Sequence, residues 1–464
     1  MKRLIITSLL SILLFSNISA QCFNGTWHGV TAGGPYSLPL VFHIEQTADS
    51  ITVTWDSPTQ KSFDLPATAI INGDTLSIDL SIIRSAFEGT LDGDDIVGEF
   101  NQGGKIFSLR LTQNDDAPYR PQEALIEADV NKPYHSEDVT FTNGDITLAG
   151  TLTLPNAGNY FPAVVLVVGS GSLDRDENIF GHKGHLLLAD ALSRHGFAVL
   201  RYDKRGVGAS TGGKPTDPTD DLAGDAMAAV RYVSARPEVD ASHIGILGHS
   251  EGGIIAIKNA AKYPDELAFI VSMAGVGLPI YEFNIRQQDV MNRMMHVERS
   301  EEERHLVNQV LTIVGTESDT TAMREHLRNY FATDPVVEQY VELYQAQDSS
   351  ITASDVIEAM VEEYTTEEYV ELMQDDPTEN LKSIKCPMLA VNGALDCQVS
   401  SEDNLGAIAR YVPHATVKSY ENLNHLFQTC SGWDGSIDFA GISETMAPQV
   451  IQDIVTWLQS VVKQ

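Results

Sequence analysis

The sequence predicts an α/β protein: a mostly parallel sheet covered by helices on both faces, preceded by a small all-β domain and interrupted by a helical insertion. Three patterns predict it. From Val139 onward, short apolar runs alternate with amphipathic stretches such as residues 222–234, and strands of that kind must be buried on both faces. Between Gly25 and Leu111 the runs are short and alternating instead, split by turn signals at Asn72-Gly73-Asp74, Asp92-Gly93-Asp94 and Gly103-Gly104. A third region, residues 276–383, is dense in Glu, Met and Tyr, poor in Gly and Pro, and helical in period.

The elements follow in order. Residues 1–20 carry Lys2 and Arg3, an apolar stretch from Leu4 to Phe15 and a small-residue end at Ser19-Ala20, the pattern of a signal peptide cut after Ala20. That apolar stretch is too short for a transmembrane helix. Cys22 follows Gln21, which spoils a lipoprotein signal, so an exported chain without a stable membrane anchor is expected, periplasmic or secreted. Residues 22–115 predict a small antiparallel sandwich or barrel, and 116–134, with Pro118, Pro121 and Pro133, a linker. Residues 135–464 predict the α/β domain, opening with a hairpin around Asn143-Gly144-Asp145. Within it, 276–383 is where a lid over the cleft is expected. Val356, Ala359, Met360, Tyr364, Tyr369, Leu372 and Met373 recur there at helical spacing, and Met291, Met294 and Met295 are candidates for an adaptable pocket wall or a buried helix face.

The chemistry centres on Gly248-His249-Ser250-Glu251-Gly252, set between the strand-like Ile244-Gly245-Ile246-Leu247 and a helical run from Gly253. G-x-S-x-G at a strand-to-helix turn is a nucleophile elbow, which pushes the serine hydroxyl into a cleft. Asp396 lies just past an apolar strand ending at Gly393, and His425 sits in a loop after the strand around Thr416 to Tyr420. The order Ser250, Asp396, His425 is that of an α/β-hydrolase triad, and of the thirteen histidines only His425 has the right place in the chain. Two backbone N–H groups must stabilise the oxyanion. One is expected from Glu251 and the other from the small-residue loop after Ala163-Val164-Val165-Leu166-Val167-Val168, at Ser170 or Gly171.

These motifs resemble the bacterial α/β-hydrolase esterases of the EstD type, relatives of the serine aminopeptidase and dienelactone-hydrolase groups. The matching stretches include Gly169-Ser170-Gly171 with Asp174-Arg175-Asp176, Tyr202-Asp203-Lys204-Arg205-Gly206, Gly248-His249-Ser250-Glu251-Gly252-Gly253, Leu395-Asp396-Cys397 and Asn424-His425-Leu426. The resemblance runs from about His135 to Trp457. It implies Ser250, Asp396 and His425 as the triad, a small-molecule acyl ester of short chain as substrate, and neither metal nor organic cofactor. A peptidase, or a thioester or amide hydrolase, is the alternative on the same scaffold. A non-catalytic binding protein is disfavoured by the complete triad.

Composition narrows the partners. Against 64 Asp and Glu stand 30 Lys and Arg, a formal charge of −34 that grows when Lys2 and Arg3 leave with the leader. Such a field repels nucleic acid and anionic membranes. Four cysteines in an exported chain make disulfides plausible. Cys397 and Cys430 are the candidates, because Asp396 and His425 must bring their loops together; Cys386 reads as a core residue. Gly25-Thr26-Trp27-His28-Gly29 gives the N-terminal domain a lipocalin-like opening, but no titratable cluster converges there, so a structural role is expected over a binding one. Asp203, Lys204, Arg205 and Gly206 read as a structural turn braced by Arg205 and a carboxylate. Asp174, Arg175 and Asp176 either pin the loop or shape the cleft entrance.

Overall fold

The computed structural model describes residues 23–463 apart from 33–38, 48–49, 58–61, 81–82, 94, 103–104, 114–120, 215–216, 295–298, 431–438, 440–441 and 443. The expected leader, Cys22 and Met295 lie outside the described residues, as do the side chains of Met291 and Met294. The chain divides into two compact units, the first carrying the N-terminal strands as far as Ala117 and the second running from Pro118.

The first unit is a closed barrel of β1 (Gly25–Ala32), β2 (Pro39–Gln46), β3 (Ile51–Ser57), β4 (Ser62–Asn72), β5 (Thr75–Leu80), β6 (Ser85–Asp92), β7 (Asp95–Gln102) and β8 (Lys105–Thr112). Of the two expected forms, sandwich or barrel, it is the barrel. Alternation drives it: in β5, Leu76, Ile78 and Leu80 are buried while the residues between them face outward. Trp27, Phe42, Trp55, Phe87 and Phe100 fill the interior, and Trp27 donates its indole N–H to the Phe23 carbonyl at 2.7 Å, which satisfies a polar group that would be costly to bury alone.

The second unit begins with a helix where a linker was expected. In α1 (Pro121–Ala128), Gln122 donates to the Met446 carbonyl at 2.6 Å and Glu123 accepts from the Lys183 N–H at 3.0 Å. Pro121 stands at the first turn, where its missing N–H costs nothing, so the proline that suggested a linker starts a helix.

The sheet is built from β9 (Tyr134–Asn143), β10 (Ile146–Pro155), β11 (Phe161–Val167), β14 (Ala198–Tyr202), β15 (Val239–His249), β16 (Phe269–Met273), β17 (Met388–Gly393) and β18 (Thr416–Tyr420). The short strands β12 (Asn178–Ile179) and β13 (His182–Lys183) pair apart from it. The sheet order is β18-β17-β16-β15-β11-β14-β10-β9; β9, β10 and β14 pair antiparallel and the remainder parallel. Residues of β11 alternate between two cores. Val164 and Leu166 pack with α2 (Gly184–Arg194) and α13 (Pro448–Val461). Ala163, Val165 and Val167 pack with α3 (Thr219–Ser234), α4 (Glu251–Lys262) and α12 (Ser401–Tyr411). This is the α/β-hydrolase arrangement. Strand order reverses about β11, which pairs with β14 on one side and β15 on the other, so the loops leaving β11 and β15 meet at the carboxyl edge where such sheets bind ligands.

Between β16 and β17 stand α5 (Ile280–Met294), α6 (Glu301–Thr316), α7 (Thr320–Phe331), α8 (Pro335–Gln347), α9 (Ala353–Tyr364), α10 (Glu367–Met373) and α11 (Pro377–Ser383). Their starts are encoded locally. Ser300 with Glu303 and Thr352 with Asp355 form capping boxes, and Asp334 and Asp376 cap helices that open on a proline. Their buried face is made by Val310, Val314, Met323, Leu327, Phe331 and Val361. The expected stripe through 356–373 is broken. Thr365 ends α9, Ala359 and Leu372 are exposed, and Val361 is buried in their place. No helix among the described residues is long and apolar enough to cross a membrane.

Thr352→Ala removes the acceptor for the Asp355 N–H and should cost about 1 kcal/mol of stability. Urea unfolding followed by circular dichroism would register it, and an unchanged midpoint would show the cap to be idle.

Candidate active site

Ser250 sits between the end of β15 and the start of α4 with φ 54° and ψ −116°. Positive φ is strained for a residue with a Cβ, and it persists only where the surroundings over-determine it. Here they do. A Cβ on Gly248 would lie 1.9 Å from the Gly252 carbonyl oxygen, and one on Gly252 would lie 2.1 Å from that of Val167. The Ser250 N–H donates to the Met273 carbonyl at 2.8 Å, tying the turn to β16.

Asp396 and His425 come together as expected. Asp396 accepts the N–H groups of Gln398 at 2.8 Å and Val399 at 2.9 Å through Oδ1, and bonds His425 Nδ1 at 2.7 Å through Oδ2. Both residues are 4% exposed. The carboxylate can only accept, so Nδ1 carries the proton and Nε2 of the neutral ring is an acceptor. Asn424 shapes the His425 loop by accepting from the N–H groups of Leu426 and Gln428. Ser250 and His425 line one cavity of about 600 Å³.

Gly169 abuts Ser250: a Cβ there would stand 3.3 Å from that of Ser250. Its N–H donates to Glu177 Oε1 at 2.8 Å, and its carbonyl accepts from Lys204 Nζ at 3.2 Å. The Ser170 N–H, trans to that carbonyl across a planar peptide, faces away from Lys204. Gly169 and Ser170 line the cavity; Gly171 does not. Lys204, 4% exposed, also bonds Glu251 Oε2 at 2.6 Å, so one ammonium ties together the two segments expected to supply the oxyanion donors.

Cys397 is a buried thiol, not bridged to Cys430 as expected. Bringing the acid and base loops together does not require the bond. Burial, then the charge of Asp396, pushes the Cys397 thiol up to about 12. Cys386 is buried in the sheet core.

The neighbouring motif residues pin loops. Arg175 bonds both oxygens of Asp203, at 3.0 and 2.8 Å, and reaches Thr151 Oγ1 at 2.8 Å. Asp176 pairs with the buried Arg201. Arg205 clasps Asp225 at 2.7 and 2.8 Å and Asp217 at 2.9 Å, as its expected bracing role requires. Sequence reasoning missed Glu177, His249 and Lys204 as parts of the site. Each lies inside a quoted motif or directly after one, but nothing in the spacing says which way its side chain points.

Helix α5 lines the cavity with Ile280, Phe283, Asn284 and Gln287, one face at helical spacing, and Leu173 and Phe180 line it as well. Three carboxylates line it, and each has a cation: Glu177 with His249, Glu251 with Lys204, and Asp375 with Lys258 at 2.9 Å.

Residues 183–429, more than half of the chain, match the model of the family described as serine aminopeptidase, S33. The chain belongs to that family. Among curated relatives, this S33 family member is similar to Esterase EstD of Thermotoga maritima, 26% identical over 336 residues that make up 70% of this chain and 69% of EstD. It is also similar to Esterase FrsA of Yersinia pestis, 27% identical over 165 residues, 35% of this chain and 37% of FrsA. Among solved structures, the ferulic acid complex of Est1E from Butyrivibrio proteoclasticus aligns with a TM-score of 0.43 and 14% identity, over 70% of this chain and 100% of that one.

Burial favours the neutral form of Asp203, but Arg175 and the N–H groups of Arg175 and Ala209 outweigh it and hold the carboxyl below its usual range. Its stabilising effect is therefore complete above the ordinary aspartate range, about pH 4, and is lost as the pH falls through the depressed value. Asp203→Asn should unfold at lower urea at pH 7 and converge with the parent in acid. Parallel stability curves would rule this out.

Proposed function

We propose that this chain is an exported serine hydrolase that cleaves short-chain carboxylic esters through an acyl-enzyme on Ser250. The observation that carries the reading is the buried 2.7 Å Asp396–His425 bond beside a strained Ser250, with His425 and Ser250 opening on one cavity. The kinship with EstD and FrsA, both named as esterases, supports the reaction class.

In this scheme Asp396 keeps the proton on His425 Nδ1, and Nε2 takes the Ser250 proton as Oγ attacks the ester carbonyl. The N–H of Glu251, at the positive end of α4, and that of Ser170 receive the developing oxyanion. Collapse breaks the ester bond, and His425 returns the proton to the departing alcohol. Water, deprotonated by the same nitrogen, attacks the acyl-enzyme and releases the acid. Lys204 keeps the two donor segments in register, and the apolar wall from α5 receives the acyl chain.

Peptide cleavage is the second reading, carried by the family's description. A site for a free amino terminus needs an uncommitted carboxylate, whereas Glu177, Glu251 and Asp375 are each ion-paired. That favours the neutral ester. The export reading rests on residues 1–20, and the mature protein should begin at Gln21.

Hydrolysis of p-nitrophenyl acetate, butyrate and octanoate beside an aminoacyl p-nitroanilide tests the assignment. Short esters should be turned over best, with Ser250→Ala losing several orders of magnitude at unchanged stability. Full activity in that variant, or anilide cleavage at comparable efficiency, would overturn it. Intact-mass analysis of the protein from culture medium and periplasm checks the Gln21 terminus; a retained leader would refute export.

A further inference from the structure

Behind the proposed triad lies a second set of buried ionisable groups that the mechanism does not use. His249, the residue before the nucleophile, is 4% exposed. Its Nδ1 lies 2.9 Å from Glu177 Oε1, and its Nε2 lies 3.0 Å from the backbone carbonyl of His425. A carbonyl oxygen has no proton to give. Glu177 Oε1 already accepts the Gly169 N–H at 2.8 Å, which is the bond expected of a carboxylate. Both ring nitrogens therefore face acceptors, and only an imidazolium can donate from both.

Taken with the serine-hydrolase reading, on which its consequence for rate rests, we infer that His249 is a permanently protonated positioning residue. It joins the oxyanion segment to the base loop through Glu177 and the His425 carbonyl, and it holds a positive charge against the His425 ring. The two rings stand 4.8 Å apart, centroid to centroid.

The surrounding charges agree with that state. Burial alone would raise Glu177 and neutralise His249. The charge of each outweighs burial for the other, with Glu177 held at about 2 and His249 raised. A second imidazole, His185, touches the far oxygen of Glu177 at 3.3 Å, and burial lowers it, so one carboxylate faces one charged ring and one neutral ring. Asp396 adds a further attraction to His249. Arg201 opposes a charge on His185 and Asp176 favours one. The pair Glu177–His249 is thus neutral as a whole, and its positive member is the one in contact with His425.

A cation at that distance repels a second positive charge on the neighbouring ring. Removing it should move the acid limb of the kcat/KM profile upward by on the order of one pH unit, because Glu177 then faces the site without its cation. A residue that only filled space would leave that limb where it is.

Two measurements on the full chain test this. In histidine ring ¹⁵N spectra, one imidazole should remain doubly protonated from pH 5 to pH 9, and its signal should vanish in His249→Gln. In Glu177→Gln the same ring should turn neutral within that range, so the question stays open to test if His249→Gln does not fold. In pH–rate profiles with p-nitrophenyl butyrate, His249→Gln should shift the acid limb upward. A His249 that titrates normally in the parent, or a limb unmoved in folded His249→Gln, would overturn the inference. The spectra do not depend on turnover, and an active Ser250→Ala would strike the serine-hydrolase reading alone.

Discussion

Everything at this site depends on a backbone conformation that most residues avoid. Ser250 is held at φ 54° because the chain on either side comes within about 2 Å of where a side chain would begin. That closeness requires glycine at 248 and 252, and it locks β15, α4 and the end of β11 into one packing solution. Because the strain is held by the sheet core, the hydroxyl needs no flexible loop to present it. The same packing brings Gly169 against Ser250, so the Ser250 turn and the loop after β11 are placed by one constraint.

Around that turn, each charge the fold takes out of water is matched. Lys204 has Glu251 and the Gly169 carbonyl, Glu177 has His249, Arg205 has Asp225, and Asp396 has two backbone N–H groups and His425. Such groups add little net stability, because desolvation offsets their attraction, but breaking one partnership strands the other member. They therefore act as fixed hinges between segments far apart in sequence. Glu177 and His249 are 72 residues apart, and His249 and His425 are 176 apart.

The placement of Ser250, Asp396 and His425 was largely legible in the chain, because a turn of this kind imposes glycines at fixed spacing and the other two residues follow strands with plain apolar signatures. The order of the sheet was not written in those runs, but the alternation of β and α elements limits it severely. Legibility failed where a side chain's direction decides its role. Lys204 reads as a turn residue, Glu177 lies just past a quoted motif, and His249 stands at a variable position of G-x-S-x-G. Pro121 was read as a mark of irregular chain although it serves equally well at a helix start. The stripe over 356–373 was drawn through Thr365, where a threonine closes one helix and the next residue caps another. Nearness of two cysteines follows from loop geometry; a bond between them does not.

The insertion between β16 and β17 has its own logic. Those two strands are parallel neighbours, paired from Ile270 with Met388 to Met273 with Val391, so the chain leaves the sheet and returns one strand away. Its helices carry their start signals within themselves and pack in a cluster shared with Ile254 of α4 and with Val399. Such a module can be lengthened, shortened or replaced during evolution or by design while the sheet register and the Ser250 turn stay as they are. Because α5 lines the cavity that Ser250 and His425 share, changes within the insertion alter what that cavity can hold, while the glycines that fix the Ser250 turn lie outside it.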